Sequence, residues 1–553
     1  MDGPAGDLDQ ISALPDNVLH VILGCLGYAP AVTRTAVLSR RWRHVWTGAK
    51  SLTFKDSKSD FAGFLDWVLA QRGDADMESL EIQVKEKCRA SPEQLNAWLC
   101  YATRHVIKSV DIDLGMTNAE EQVVVEVPSH GRAESISLAL PSNHRLQLPA
   151  ATATARYDAL TKLELYSPLL DEDGGKLSHF VASCCPRLRR LRLCGPGGLR
   201  HLVLRSDVLQ EFAISCAMDL ETLDVATPDL RVFELSTCFA YLKIHGNRGK
   251  YVDGTNNKLA RIVAPKLEEI VSMHYHRSSP TELDIHDFAS VRRLSELHLD
   301  MHGKYHQDMD VGFWLLESFP GIEHVDIQLR HMPRGGLTTD KLIDLTSEGK
   351  APFPKLRTMA VRAIAYLKHH LVASMSALLV RCPNLTSLRV DMYNCLHNAT
   401  WGCFCESVVD KWEIHGKVAL ESLEELKMTG FGGTEEEMQL VRLLFQSSNN
   451  SIKSMELVHA SAAKIKYATE QPDVKDVETI YHELVKLPCA DVQAQGHYQE
   501  YKSSCRANPS SPFSTVKTMS YGSSYTSGKS ITDRFLSVKS YLMMLSPPIS
   551  RMK

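Results

Sequence analysis

Nowhere in these 553 residues is there a run near the ~20 apolar positions that a membrane helix needs. The opening Met1-Asp2-Gly3-Pro4-Ala5-Gly6-Asp7 lacks the basic flank and apolar core of a secretory leader, so a soluble chain that is not secreted is expected. Charge of one sign is also missing. With 62 Lys and Arg against 66 Asp and Glu, the formal net charge is -4, and no global field recruits nucleic acid or an anionic membrane. Binding is therefore expected to be local. The 14 cysteines lack a metal-binding frame: Cys184-Cys185 and Cys403-Phe404-Cys405 have no second pair at zinc-finger spacing. Cys184, Cys216, Cys238 and Cys382 sit among core-type residues and read as reduced, buried thiols, and neither metal nor cofactor is expected. Catalytic motifs are missing too. His274, His276, His369 and His370 come without a His-Glu-x-x-His, a phosphate loop or a Gly-x-Ser-x-Gly, so the chain does not read as an enzyme.

Apolar material is plentiful, at 44% of residues. Its densest pattern lies near the start, where Leu14-Pro15-Asp16 leads into Val18, Leu19, Ile22, Leu23 and Leu26 at helical spacing. A second short helix is expected to present Val32, Ala36, Val37 and Leu38. Ser39 is placed to cap a third that carries Trp42, Val45 and Trp46. So short a segment cannot bury this much apolar surface alone, which marks either a partner site or a helical cap on the next domain. The compound of Leu14-Pro15-Asp16, the Leu38-Ser39-Arg40-Arg41-Trp42 run and a second tryptophan four residues on favours the partner site. Residues 8–50 resemble an F-box. That resemblance implies docking onto a Skp-type adaptor, and through it a cullin, by Leu14, Pro15, Val18, Leu19, Ile22, Leu23, Leu26, Val32, Val37, Leu38, Trp42 and Trp46. The linker Gly27-Tyr28-Ala29-Pro30-Ala31 departs from related F-boxes, which carry a polar or acidic residue before the second helix.

Behind this segment a phrase of the form apolar-x-x-apolar-x-apolar recurs, as in Leu160/Leu163/Leu165, Leu188/Leu191/Leu193, Leu294/Leu297/Leu299 and Leu385/Leu388/Val390. Its middle positions Leu80, Val110, Ile136, Leu163 and Leu191 are 30, 26, 27 and 28 residues apart, and Ile270, Leu297 and Val325 resume at 27 and 28. A proline two residues ahead of the phrase at Pro186, Pro228, Pro265, Pro320, Pro354 and Pro383 ends each preceding segment. These intervals fit one strand and one helical return per coil. Helical returns are expected over 176–184, 311–318 and 367–381, and an entry helix over Phe61, Phe64, Leu65, Val68 and Leu69. Ser91-Pro92-Glu93-Gln94 reads as a capping box. From Leu191 the markers tighten to Leu202, Phe212, Leu223, Phe233 and Leu242, at intervals of 11, 10, 11, 10 and 9, which leaves no room for a helix. Two strands per coil, one on each side, are expected there.

The phrase resembles a degenerate leucine-rich repeat, and residues 430–488 resemble the FBD-type region that follows such repeats in plant F-box proteins. The expected architecture is an α/β solenoid: a three-helix F-box at 8–50, a repeat array at 51–429 with an all-β central section, a cap at 430–488 and a coreless tail at 489–553. In the cap, Thr434 and Glu437 form a capping box ahead of Met438, Val441 and Leu444, and a last helix is expected over 474–487. The residue between the last two apolar positions of each phrase should face out on the concave sheet. Those residues include Glu164, Arg192, Asp224, Glu234, His298, Asp326, Arg389 and Lys427. Their mixed signs suit a protein target and argue against a nucleic-acid groove. The combined resemblance implies the substrate receptor of a Skp-cullin-F-box ubiquitin ligase, working in the cytosol or nucleus. The rival readings are a ligase-independent scaffold and a receptor that needs a small molecule.

Overall fold

The computed structural model of the chain describes residues 14–55, 60–84, 90–115, 122–150, 154–236, 238, 259–274, 282–286, 290–300, 302–303, 315–316, 319, 321–330, 341–342, 352–364, 371–393, 417–431, 435–449, 451–459, 493–496 and 515–518. Residues 8–13, Leu242, His276, His369, His370, Cys403, Cys405, Thr434 and the expected helix over 474–487 lie outside them.

The chain opens with helix α1 (Asp16–Leu26), α2 (Ala29–Arg34) and α3 (Trp42–Val45), with 3-10 turns at Thr35–Val37 and Trp46–Gly48. Pro15 is extended just ahead of α1, where its missing N–H costs nothing, and Asp16 complements the dipole of the first turn. Gly27 stops the helix at φ 58°, its N–H donating to the Leu23 carbonyl. Ser39 Oγ accepts from the Trp42 N–H at 3.5 Å.

Strand β1 (Ser51–Lys55) begins the repeat layer, followed by α4 (Phe61–Arg72), β2 (Met77–Gln83), α5 (Pro92–His105) and β3 (Val106–Asp113). The capping box at Ser91 and Gln94 forms in both directions. Gln94 and Trp98 also donate to Asp66 of α4, each at 2.6 Å, so the cap of α5 is tied to the preceding helix. Strands β4 (Val124–Glu126), β5 (Ser135–Ala139), β6 (Arg145–Gln147) and β7 (Lys162–Tyr166) come next. Helix α6 (Gly175–His179), with a π-turn at Phe180–Cys184, then leads to β8 (Arg190–Cys194).

From β8 onward the strands alternate between two sheets. Strands β9 (His201–Arg205), β11 (Thr222–Ala226), β13 (Leu259–Val263) and β15 (Glu282–His286) form a separate four-stranded sheet. Strands β10 (Glu211–Ser215), β12 (Val232–Ser236), β14 (Glu269–His274) and β16 (Arg293–Asp300) stay in the long one. Two strands β17 (His302–Gly303) and β19 (Lys341–Leu342) pair apart from both. The long sheet goes on through β18 (His324–Arg330), β20 (Thr358–Ile364), β21 (Ser387–Tyr393), β22 (Glu425–Phe431) and β23 (Ser454–His459), with helices α7 (Leu371–Leu379) and α8 (Glu435–Ser448) beside it. Seventeen described strands share it, and every pairing within it is parallel. The chain is thus a sheet-rich α/β repeat solenoid.

The marker residues become one apolar ladder. Leu52, Leu80, Val110, Ile136, Leu163, Leu191, Phe212, Phe233, Ile270, Leu294, Val325, Met359, Leu388, Leu426 and Met455 pair rung to rung across adjacent strands. All are 5% exposed or less, and they belong to one core that runs from Leu19 to Leu457. At ~1.5–3 kcal/mol for each fully buried aliphatic side chain, such a ladder opposes the chain entropy that ordering costs.

Two placements differ from the sequence expectation. In β16 the rung is Leu294, not Leu297, because the register slips between them and Glu296 takes φ 55°. A bulge adds residues without changing the apolar spacing on either side, so the phrase could not show it. Short strands β24 (Gln493–Gly496) and β25 (Thr515–Thr518) also run parallel to β23 and to each other, inside the segment expected to lack structure.

Candidate functional site

Helix α1 is apolar on two sides. Leu19 and Leu23 are fully buried, whereas their helical neighbours Val18, Ile22 and Leu26 are 37%, 39% and 46% exposed. Spacing alone put all five on one face. Val21, which the sequence reading missed, is 65% exposed. Val32 of α2 points into the core, whereas Val37 and Leu38, after that helix, point out, at 85% and 64% exposed. Trp42 and Trp46 are buried, and Leu14 is only partly so. The twelve residues therefore divide into the half-buried Leu14, an inner set of Leu19, Leu23, Val32, Trp42 and Trp46, and an outer set of Pro15, Val18, Ile22, Leu26, Val37 and Leu38. The inner set holds the helices; the outer set is what a partner could touch.

Arg41 fixes the start of α1. Its Nη2 donates to the Leu14 carbonyl at 2.6 Å and to Asp16 Oδ1 at 2.5 Å, and its Nε donates to the same Asp16 oxygen at 3.0 Å. The pair is partly exposed and contributes about 1 kcal/mol at most, but it sets where Pro15 sits. Arg34, Arg40 and Arg43 are exposed nearby in sequence, so the apolar side chains are flanked by positive charge. Trp46 stacks on Trp67 of α4, which joins this helical unit to the repeat layer.

A second region lies on the outward face of the long sheet. Glu164, Arg192 and Glu234 sit in one row, on β7, β8 and β12. Arg192 reaches Glu234 at 3.1 Å across strand β10, where the intervening residue is the small Ala213, and reaches Glu164 at 3.8 Å on the other side. Burial raises the Glu234 carboxyl above its usual range, and Arg192 opposes the shift. Farther along, Asp326, Arg389 and Lys427 share a row with Ala360 and Glu456. His298 falls in the next row, with Gln328, Arg362 and Asp391. Asp224 is not part of this face: it belongs to the four-stranded sheet, where Arg205 pairs with it at 2.6 Å. The alternation of strands between sheets removes every second phrase of that section from the long sheet.

The sequence reading also missed Arg362 and Asp391. Arg362 bridges Asp326 at 2.7 Å, and Asp391 holds Arg389 at 2.9 Å. Strands β18, β20 and β21 are seven residues long and present more than one outward side chain each, whereas the phrase assigns only one. The alternation Val361-Arg362-Ala363 was the available signal. Cys184 and Cys185 are buried, and burial pushes both thiols up. Among the described residues, no group of three His, Cys, Asp or Glu could hold a metal ion, and no helix is long and apolar enough to cross a membrane.

No protein-family profile matches the chain. Curated proteins do. A putative F-box/FBD/LRR-repeat protein of Arabidopsis thaliana is 23% identical over 469 residues, which is 81% of this chain and 88% of that protein. This chain is a homologue of the plant F-box/FBD/LRR-repeat proteins. An F-box/LRR-repeat protein from the same plant is 24% identical over 70% of each chain. A putative FBD-associated F-box protein, also from Arabidopsis thaliana, is 26% identical over 39% of this chain and 51% of its own length. For such a homologue, the helical unit and the outward face of the repeat sheet are the two regions to test.

Proposed function

We propose that this chain is the substrate-recognition subunit of a Skp-cullin-F-box ubiquitin ligase. Residues 8–50 are the three-helix F-box, 51–429 the repeat array with its all-β central section, and 430–488 the FBD-type cap. The outer set on α1 and the turn after α2 docks the Skp-type adaptor, and the adaptor brings the cullin. The outward face of the long sheet, with Glu164, Arg192, His298, Asp326, Arg389 and Lys427, receives a target protein. Catalysis belongs to the other subunits; this chain supplies proximity, raising the effective concentration of the target's lysines. The work takes place in the cytosol or nucleus.

One observation carries the reading: six aliphatic side chains stay exposed on a small helical unit whose own core is already filled by Leu19, Leu23, Val32, Trp42 and Trp46. Exposed apolar clusters of this sort mark partner sites. The curated relatives' F-box names support the same reading. Co-purification of the whole chain with a plant Skp-type adaptor and cullin tests it. A stoichiometric complex supports the ligase role; retention of a target without any adaptor leaves a binding scaffold instead.

A further inference from the structure

The corners that follow strands β7, β8 and β10 repeat one arrangement. Ser167, Gly195 and Cys216 each take a left-handed backbone, at φ 53°, 62° and 54°. Each N–H donates to the next coil: Ser167 to the Cys194 carbonyl at 2.7 Å, Gly195 to that of Ser215 at 2.7 Å and Cys216 to that of Ser236 at 2.8 Å. Glycine adopts this conformation without cost, whereas a cysteine there is strained. Ordinary strand alternation would turn the side chain of Cys216 away from the face that Ser215 occupies. The left-handed turn interrupts that alternation.

Cys194 pairs in register with Ser215, so Cys216 is its diagonal neighbour on the adjacent strand. A lateral step of about 4.8 Å and a rise of about 3.3 Å put the two α-carbons about 6 Å apart, inside the range a disulfide spans. Each thiol is the largest influence on the other's ionisation, in keeping with that proximity. Cys194 is 8% exposed and Cys216 is partly open to solvent, while Cys238, one coil on, is buried with its Sγ on the Ile214 and Ser236 carbonyls.

We propose that Cys194 and Cys216 form a peroxide-sensitive thiol pair whose oxidation staples strand β8 to the corner after β10. The Cys194 sulfur attacks one oxygen of hydrogen peroxide. A sulfur–oxygen bond forms, the oxygen–oxygen bond breaks, and the released hydroxide leaves as water with a proton. Cys194 becomes a sulfenic acid and the peroxide is reduced. The Cys216 sulfur then displaces the sulfenic hydroxyl, which leaves as a second water with the Cys216 proton, and the disulfide closes. The hydrogen bond from Cys216, a second from Ser215 and the charge of Arg192 favour the thiolate at Cys194 against the burial that opposes it. Cys216 is shifted upward by the same bond and by burial, and the part owed to that bond is lost once the Cys194 sulfur has become a sulfenic acid, which leaves Cys216 easier to ionise for the resolving step.

The test treats the reduced full-length chain with hydrogen peroxide, blocks free thiols, digests it without reduction and maps the linked peptides. A Cys194–Cys216 cross-link that disappears on adding dithiothreitol is the expected result. Recovery of both residues as free thiols while exposed Cys25 is oxidised would overturn the proposal, as would a cross-link joining other cysteines. In the Cys216→Ser variant, Cys194 should stop at the sulfenic acid and be trapped by a cyclic 1,3-diketone, with trapping several-fold above the untreated control. Absence of that adduct in a variant of native circular dichroism counts against the pair.

Discussion

The indole of Trp46 lies on that of Trp67, ring centroids 5.6 Å apart and planes 25° from parallel. Trp46 is buried in the N-terminal helical unit; Trp67 belongs to the first helix of the repeat layer and is 47% exposed. Phe64, on the same helix, also stacks on Trp67, at 6.1 Å. The helical unit is therefore fastened to the array by aromatic contact as well as by the Gly27 carbonyl, which accepts the Thr53 N–H at 2.7 Å.

Trp67→Ala should weaken that junction. A loss of about 1 to 3 kcal/mol is expected, from the stack and the half of the indole that is covered. Urea unfolding measures it, and limited proteolysis should cut the chain between the helical unit and the array earlier than in the wild type. Adaptor affinity should change little, since Trp67 is not in the outer set.

Inner and outer residues of α1 should respond differently. Leu23→Ala removes a fully buried side chain and should cost about 2–5 kcal/mol of stability. Ile22→Ser alters an exposed position and should leave the urea midpoint within about 0.5 kcal/mol of wild type.

Arg192→Leu leaves Glu234 buried beside Ala213 without its cation. A loss of about 3–5 kcal/mol is expected at pH 8. The sign of the pH dependence comes from the raised Glu234 carboxyl: the folded state holds that proton more tightly, so its contribution is present at low pH and fades as pH rises through the folded value. Removing Arg192 raises the value further. The penalty, read from urea midpoints, should therefore be smaller at pH 5 than at pH 8, and Glu234→Leu added to Arg192→Leu should recover much of it.

Gly430 takes φ 71°, and a β-carbon there would come within 2.2 Å of the Met392 carbonyl oxygen. That contact is with backbone, which cannot swing aside. Gly430→Ala should cost about 2 kcal/mol or more, seen as a lower thermal midpoint.

The strand ladder was legible because a rung needs an apolar residue at a fixed place in every coil, and Leu80, Val110, Ile136, Leu163 and Leu191 keep that place at nearly even intervals. The Glu296 bulge was not legible, since it shifts register without altering residue type. The expected site was legible in its membership but not in its sides. Val18 and Leu19 are both aliphatic neighbours on a helix, and only the packing of α1 against α2, α3 and β1 decides which turns inward. Asp224 went to the wrong sheet because one sequence phrase serves both sheets where coils carry two strands.

The most direct test of the docking assignment is the affinity of a Skp-type adaptor for the whole chain, wild type against Val18→Ser/Ile22→Ser/Val37→Ser/Leu38→Ser, by titration calorimetry. Loss of at least ~100-fold with an unchanged urea midpoint is the predicted result, as expected when several interface anchors go together. An affinity equal to wild type in the folded variant would contradict the assignment of α1 and the following turn as the adaptor-docking face.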